Sequence, residues 1–173
     1  MNKMKLLRKI AASGTICLAF AGLAGQLAQA QQRTTFLFSS SCVPRVRIRS
    51  SLRDVSINRE VFTEIFYIRD NSLISCRIRP AGSAPRYKTL RLAFGSDDTL
   101  QGYEPVEVKV YLDGNLAASR LISPSEKALL LLDVSKASSV AIEIPDNHDG
   151  YSTGVSLIQA LLEPISSSPG SRR

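Results

Sequence analysis

Apolar and polar residues alternate most regularly between Leu90 and Ile144. Leu90, Leu92 and Phe94 recur at every second position, then Val106, Val108, Val110 and Leu112, then Val140, Ile142 and Ile144. A period of two is the mark of strands that bury one face and wet the other. Asp113-Gly114, between two such runs, predicts a hairpin, because both central residues of a type I′ turn need positive φ. Ala117–Ile122 is the return strand, and Ser123-Pro124-Ser125 the turn that ends it. Ala128–Val134 is almost wholly apolar and reads as a short strand buried on both faces. On either side of this centre the pattern continues less cleanly. Thr34–Phe38 is β-prone, and Arg45-Val46-Arg47-Ile48-Arg49 alternates strictly and predicts one strand. Val61–Ile68 is β-branched and aromatic, but Glu64 interrupts its alternation. Leu73–Arg79 sets Ile74, Cys76 and Ile78 on one side and Arg77 and Arg79 on the other. Asp70-Asn71 marks a turn and Pro80–Pro85 a loop within one domain. Val155–Glu163 suits either a helix, by its leucines, or a closing strand. Nine or ten short strands with turn signals every 8–12 residues predict an all-β, antiparallel β-sandwich.

The N-terminal segment follows a different logic. Lys3, Lys5, Arg8 and Lys9 precede an uncharged stretch from Ile10 to Gly25, and Ala28-Gln29-Ala30 offers small residues for a signal peptidase. Residues 1–30 are read as a signal peptide and the product as secreted or periplasmic. The alternative, an anchoring helix, has about 16 apolar residues against the ~20 a bilayer needs. No other stretch is long and apolar enough for a membrane span. The expected organisation is a single sandwich over 31–163 and a disordered Ser/Pro/Gly-rich tail over 164–173. With four of the 22 basic residues and none of the 15 acidic ones removed, the net charge falls from +7 to +3. That balance argues against nucleic acid as a partner. Cys17 leaves with the signal, and the remaining pair, Cys42 and Cys76, predicts a disulfide in an oxidising compartment, with two free thiols as the alternative.

Several motifs carry a resemblance. Leu90-Arg-Leu-Ala-Phe-Gly95, Asp97-Asp98, Val106–Tyr111 with Leu112-Asp113-Gly114, a strand ending in Asp133-Val134-Ser135, Ser139–Ile142, an Asp/Gly-rich loop and Ala160 follow in order. Together they resemble the NPCBM domain, a carbohydrate-binding jelly roll of the galactose-binding-like class, over roughly residues 87–163. Two departures stand out: the chain has no tryptophan, and Lys136 stands where the family has glycine after Asp133-Val134-Ser135.

Sugar recognition needs an aromatic face against C–H surface and carboxylates or amides for the hydroxyls, in loops at one end of the sandwich. Tyr103, Asp146, His148, Asp149 and Tyr151 have that chemistry, although Asp, Asn and Gly also belong in plain solvated turns. Asp97, Asp98, Asp146 and Asp149 could hold a structural calcium, as folds of this class often do, without EF-hand spacing. Arg45, Arg47, Arg49, Arg77 and Arg79 would share one outward face if their strands are neighbours. That face suits an anionic glycan or an acidic envelope protein, or is simply solvated. The chain lacks a nucleophile elbow, H-E-x-x-H and a phosphate loop, and has a single histidine, so no catalytic residue is nominated. A non-catalytic module for carbohydrate or another envelope ligand is the expected function, and an adaptor using the arginine face the alternative.

Overall fold

The computed structural model describes residues 33–45, 48–146 and 154–165, with the side chains of 48–51 left aside. These belong to one compact unit, Gln32–Arg173. Its strands are β1 (Thr35–Phe36), β2 (Ser41–Arg45), β3 (Ile48–Ile57), β4 (Glu60–Arg69), β5 (Ser72–Arg77) and β6 (Tyr87–Gly95). They continue with β7 (Val106–Leu112), β8 (Asn115–Ile122), β9 (Lys127–Asp133), β10 (Ser139–Ile144) and β11 (Gly154–Pro164). One sheet has the order β3-β4-β11-β6-β9, with β1 on β11, and the other β2-β5-β10-β7-β8. Every pairing is antiparallel. The expected antiparallel sandwich is therefore the observed one.

The period-two runs become the core. Leu90, Leu92, Phe94, Val106, Val108, Val110, Val140, Ile142 and Ile144 are buried between the sheets with Ile68, Ile74, Leu157 and Leu162. Fully burying a side chain of this size contributes about 1.5–3 kcal/mol. Cys42 and Cys76 lie opposite each other on β2 and β5 and are joined by a disulfide. Asp113 (φ 49°) and Gly114 (φ 82°) make the β7–β8 turn as expected. The Asp113 carboxylate also accepts N–H bonds from Ser138 and Ser139, tying that turn to the start of β10. The 155–163 segment, ambiguous by composition, is strand: β11 sits between β4 and β6, at the centre of its sheet.

Three expectations need correction. Arg45–Arg49 is not one strand: β2 ends at Arg45 in the five-stranded sheet, and β3 begins at Ile48 in the other. Alternation along the chain is blind to a crossover, because both strands bury alternate residues in the same core. Thr34–Phe38 gives a two-residue strand and then a 3₁₀ turn over Leu37–Ser39, with Leu37 buried. Finally, β9 is not buried on both faces. It is an edge strand whose Leu129 and Leu131 are 52% and 56% exposed.

The β3–β4 hairpin positions the site. A bulge between Ser50 and Arg53 bends it, and its tip reaches the outer face of its own sheet, where a Cβ on Gly95 would lie 2.9 Å from Ile57 Cγ2. Val55 and Ile57 are buried there, apart from the main core cluster. Glu64, the residue that breaks the alternation of β4, is fully buried under the bend. It accepts from Arg53 Nε at 2.9 Å and from the Ser156 hydroxyl.

Candidate functional site

The ends of β4, β6, β8 and β10 and the starts of β5, β7, β9 and β11 gather at one pole of the sandwich, as the register requires. Loops 96–105 and 123–126 therefore emerge together with Pro145 and Asp146, which follow β10. The tip of the β3–β4 hairpin joins them through Asp98, the start of a 3₁₀ turn over Asp98–Leu100. One oxygen of this carboxylate accepts from Asn58 N at 2.8 Å. The other accepts from Ser56 Oγ at 2.6 Å and Arg59 N at 2.9 Å. Those bonds, Ser56 first and then Arg59 N, hold the Asp98 carboxyl down to about 2. Asn58 (φ 53°) and Arg59 (φ 65°) make the two-residue left-handed turn that such a hairpin tip needs.

Asn58, Arg59, Asp98, Gln101 and Ser125 line a concavity of about 400 Å³. Asn58, Arg59 and Gln101 are exposed, so two amides and a guanidinium face solvent around a fixed carboxylate. Chemically this is a cradle of mixed donors and acceptors. A smaller concavity of about 150 Å³ at the same pole is lined by Asp70, Pro105, Glu107, Leu121 and Asp146, among others. A third, of about 450 Å³ and mostly apolar, lies between the hairpin and the outer sheet face, with Phe62, Lys127, Leu129 and Gln159 in its wall. There Lys127 Nζ sits 4.3 Å from the Phe62 ring centroid and 2.6 Å from Glu60 Oε2.

Of the residues nominated for sugar binding, Tyr103 is 40% exposed in the loop that carries Gln101, and Asp146 is exposed beside Asp70. His148, Asp149 and Tyr151 lie outside the described residues. Asn58, Arg59 and Gln101 were not nominated. Asn58 had a readable signal, an Asn between two β-prone runs, whereas Gln101 had none.

Of the acidic set, Asp146 is exposed and Asp149 lies outside the described residues. Asp97 Oδ1 accepts from Thr99 N and Oγ1, both at 2.9 Å, and both oxygens of Asp98 face N–H or O–H donors. Among the described residues no group of three or more His, Cys, Asp or Glu side chains could hold a metal.

The arginine stripe is divided. Arg45 and Arg77 are exposed and share the outer face of the β2–β5 pair, at its opposite ends. Arg49 belongs to β3 in the other sheet, and Arg47 lies outside the described residues. Arg79 is engaged beyond the end of β5, donating to Ser138 Oγ at 2.7 Å and Lys136 O at 2.8 Å. The five do not form one anion-binding face, because the chain changes sheet between Arg45 and Arg49.

With this geometry in place, the fold can be compared: it is an antiparallel β-sandwich similar to that of CBM51 carbohydrate-binding modules. The CBM51-2 and INT domains of ZmpB from Clostridium perfringens align at TM-score 0.60 and 18% identity, over 76% of this chain and 32% of that one. The CBM51 from Clostridium perfringens GH95, in complex with methyl-galactose, aligns at TM-score 0.59 and 16% identity, over 75% of this chain and 99% of that one. The ZmpB domains in complex with GlcNAc align at TM-score 0.60 and 17% identity, and this chain again spans 32% of their length. Neither a family model nor a curated protein matches the chain. Among the described residues no helix is long and apolar enough to cross a membrane.

Proposed function

We propose that this protein is an exported, non-catalytic module that binds carbohydrate through the loop pole of its sandwich. The sandwich that it shares with CBM51 modules carries the reading. The polar cradle supports it, since the Arg59 guanidinium and the Asn58 and Gln101 amides have the donor and acceptor mix that vicinal hydroxyls require. Tyr103 supplies a ring for the C–H face of a sugar. The Cys42–Cys76 disulfide suits an oxidising compartment and so supports export. Both described cysteines are consumed by that bond, which leaves no thiol nucleophile among the described residues. The adaptor alternative would draw on Arg45 and Arg77, since Arg49 belongs to the other sheet.

Isothermal titration with methyl-galactose, GlcNAc and a glycan array, with and without calcium, tests the proposal. Saturable binding that weakens at least about tenfold in Arg59→Ala/Gln101→Ala or in Tyr103→Ala is the expected outcome. Absence of binding to every glycan, with the protein folded by circular dichroism, would sink it.

A further inference from the structure

Strand β9 closes the six-stranded sheet on one side, and among the described residues no strand pairs with its outer edge. Its sequence, Lys127-Ala-Leu-Leu-Leu-Leu-Asp133, has a cation at one end, an anion at the other and no charge between. Such an edge is normally blunted by internal charges, proline or a bulge; this one has none of them.

The ladder to β6 shows which main-chain groups are unused. Ser96 N donates to Glu126 O at 3.0 Å, and Val134 N donates to Lys88 O at 2.8 Å. Hydrogen-bonded pairs recur at every second residue of an antiparallel ladder, so the even-numbered residues of β9 turn their N–H and C=O toward β6. Lys127, Leu129, Leu131 and Asp133 turn theirs toward the open edge. The exposed leucine side chains, Leu129 and Leu131, belong to this same odd-numbered set.

We infer that a second copy of this chain occupies that edge, β9 against β9, antiparallel about a two-fold axis at Leu130. In this register Lys127 meets Asp133 of the second copy at both ends, Leu129 meets Leu131, and Leu130 faces its own counterpart. The odd-numbered residues then form hydrogen-bonded pairs, closing about eight main-chain bonds. A slip by one residue opposes odd to even positions and leaves those groups unmatched, and a slip by two loses charge pairs. The register that satisfies the backbone is therefore also the one that pairs the charges and stacks the leucines. A two-fold interface demands such self-complementarity. A single paired edge strand is a small interface, so the association should be reversible and concentration-dependent. The two loop poles would point in opposite directions.

Sedimentation equilibrium on the full protein as its host produces it should show a concentration-dependent monomer–dimer equilibrium. Leu131→Lys should abolish the dimer. Lys127→Asp should weaken it about tenfold or more by opposing like charges at both ends, and Lys127→Asp/Asp133→Lys should restore it. Leu130→Cys should cross-link to itself on oxidation, whereas Leu116→Cys, on exposed β8, should not. Urea-unfolding midpoints show that each variant is folded. A wild-type protein monomeric at all attainable concentrations, a dimer unaffected by Leu131→Lys, or failure of the charge swap to restore association would each overturn the inference.

Discussion

Two buried or bonded carboxylates show how much single residues depend on partners far along the chain. Glu64 is fully buried, and its ion-pair partner Arg53 keeps 56% of its side chain in solvent. Removing Glu64 therefore costs little on the arginine side, which water already solvates. On the other side it leaves the Ser156 hydroxyl buried without its acceptor. Glu64→Ala should destabilise by about 1–3 kcal/mol in urea unfolding. Adding Ser156→Ala should return part of that loss, since nothing polar is then left orphaned. Asp98 makes a pH-dependent anchor. Its folded value lies below the ordinary 3.8, at about 2, so its contribution is present above 3.8 and is lost as the pH falls through about 2. Amide exchange at Asn58 and Arg59, measured relative to its intrinsic rate at each pH, should accelerate across that window in the wild type. In Asp98→Asn it should be fast already at neutral pH, and an unchanged profile would contradict the anchoring role.

Among the elements, the bent hairpin and the disulfide carry separate consequences. Gly95 has main chain on one side and the hairpin on the other: a Cβ would lie 2.6 Å from Glu126 O and 2.9 Å from Ile57 Cγ2. Gly95→Ala must push the β8–β9 turn or the hairpin tip outward, at a cost of about 1–3 kcal/mol. Because Asn58 and Arg59 ride on that tip, the same substitution should also weaken glycan binding. A stability loss without a binding loss would separate the hairpin from the site. The Cys42–Cys76 link closes a loop of sequence separation 34 between β2 and β5. Cys42→Ala/Cys76→Ala should cost roughly 3–4 kcal/mol in the chain-entropy account, measured as a shift in the denaturation midpoint at constant slope. β2 is an edge strand paired only with β5 among the described residues, so the effect should be greatest there.

At the scale of the molecule, the legible and the illegible parts of the fold divide along a physical line. Leu90–Phe94, Val106–Leu112 and Val140–Ile144 announce themselves because each buries one face, and burial of one face is a property of the strand alone. Asp113-Gly114 is legible because a left-handed dipeptide is a local conformational demand. The candidate site was half legible: the loops carrying Tyr103 and Asp146 do emerge at one pole, but the Asn58-Arg59 tip reaches that pole through a bend that no local pattern encodes. The arginines and leucines were misplaced for a related reason. Arg45 and Arg49 look like one outward row until their strands join different sheets, and Leu129 and Leu131 look like core until β9 is found at an edge.

The sequence by itself determined the all-β class, the inward faces of the regular strands and the main hairpin, all set within a few residues. Tertiary structure alone decided the rest. It chose which strands are neighbours, which strand ends the sheet, where the β3–β4 hairpin folds and what Glu64 bonds to. These depend on contacts between residues as distant as Glu64 and Ser156, and alternation along a strand records which side is dry without recording what lies against it.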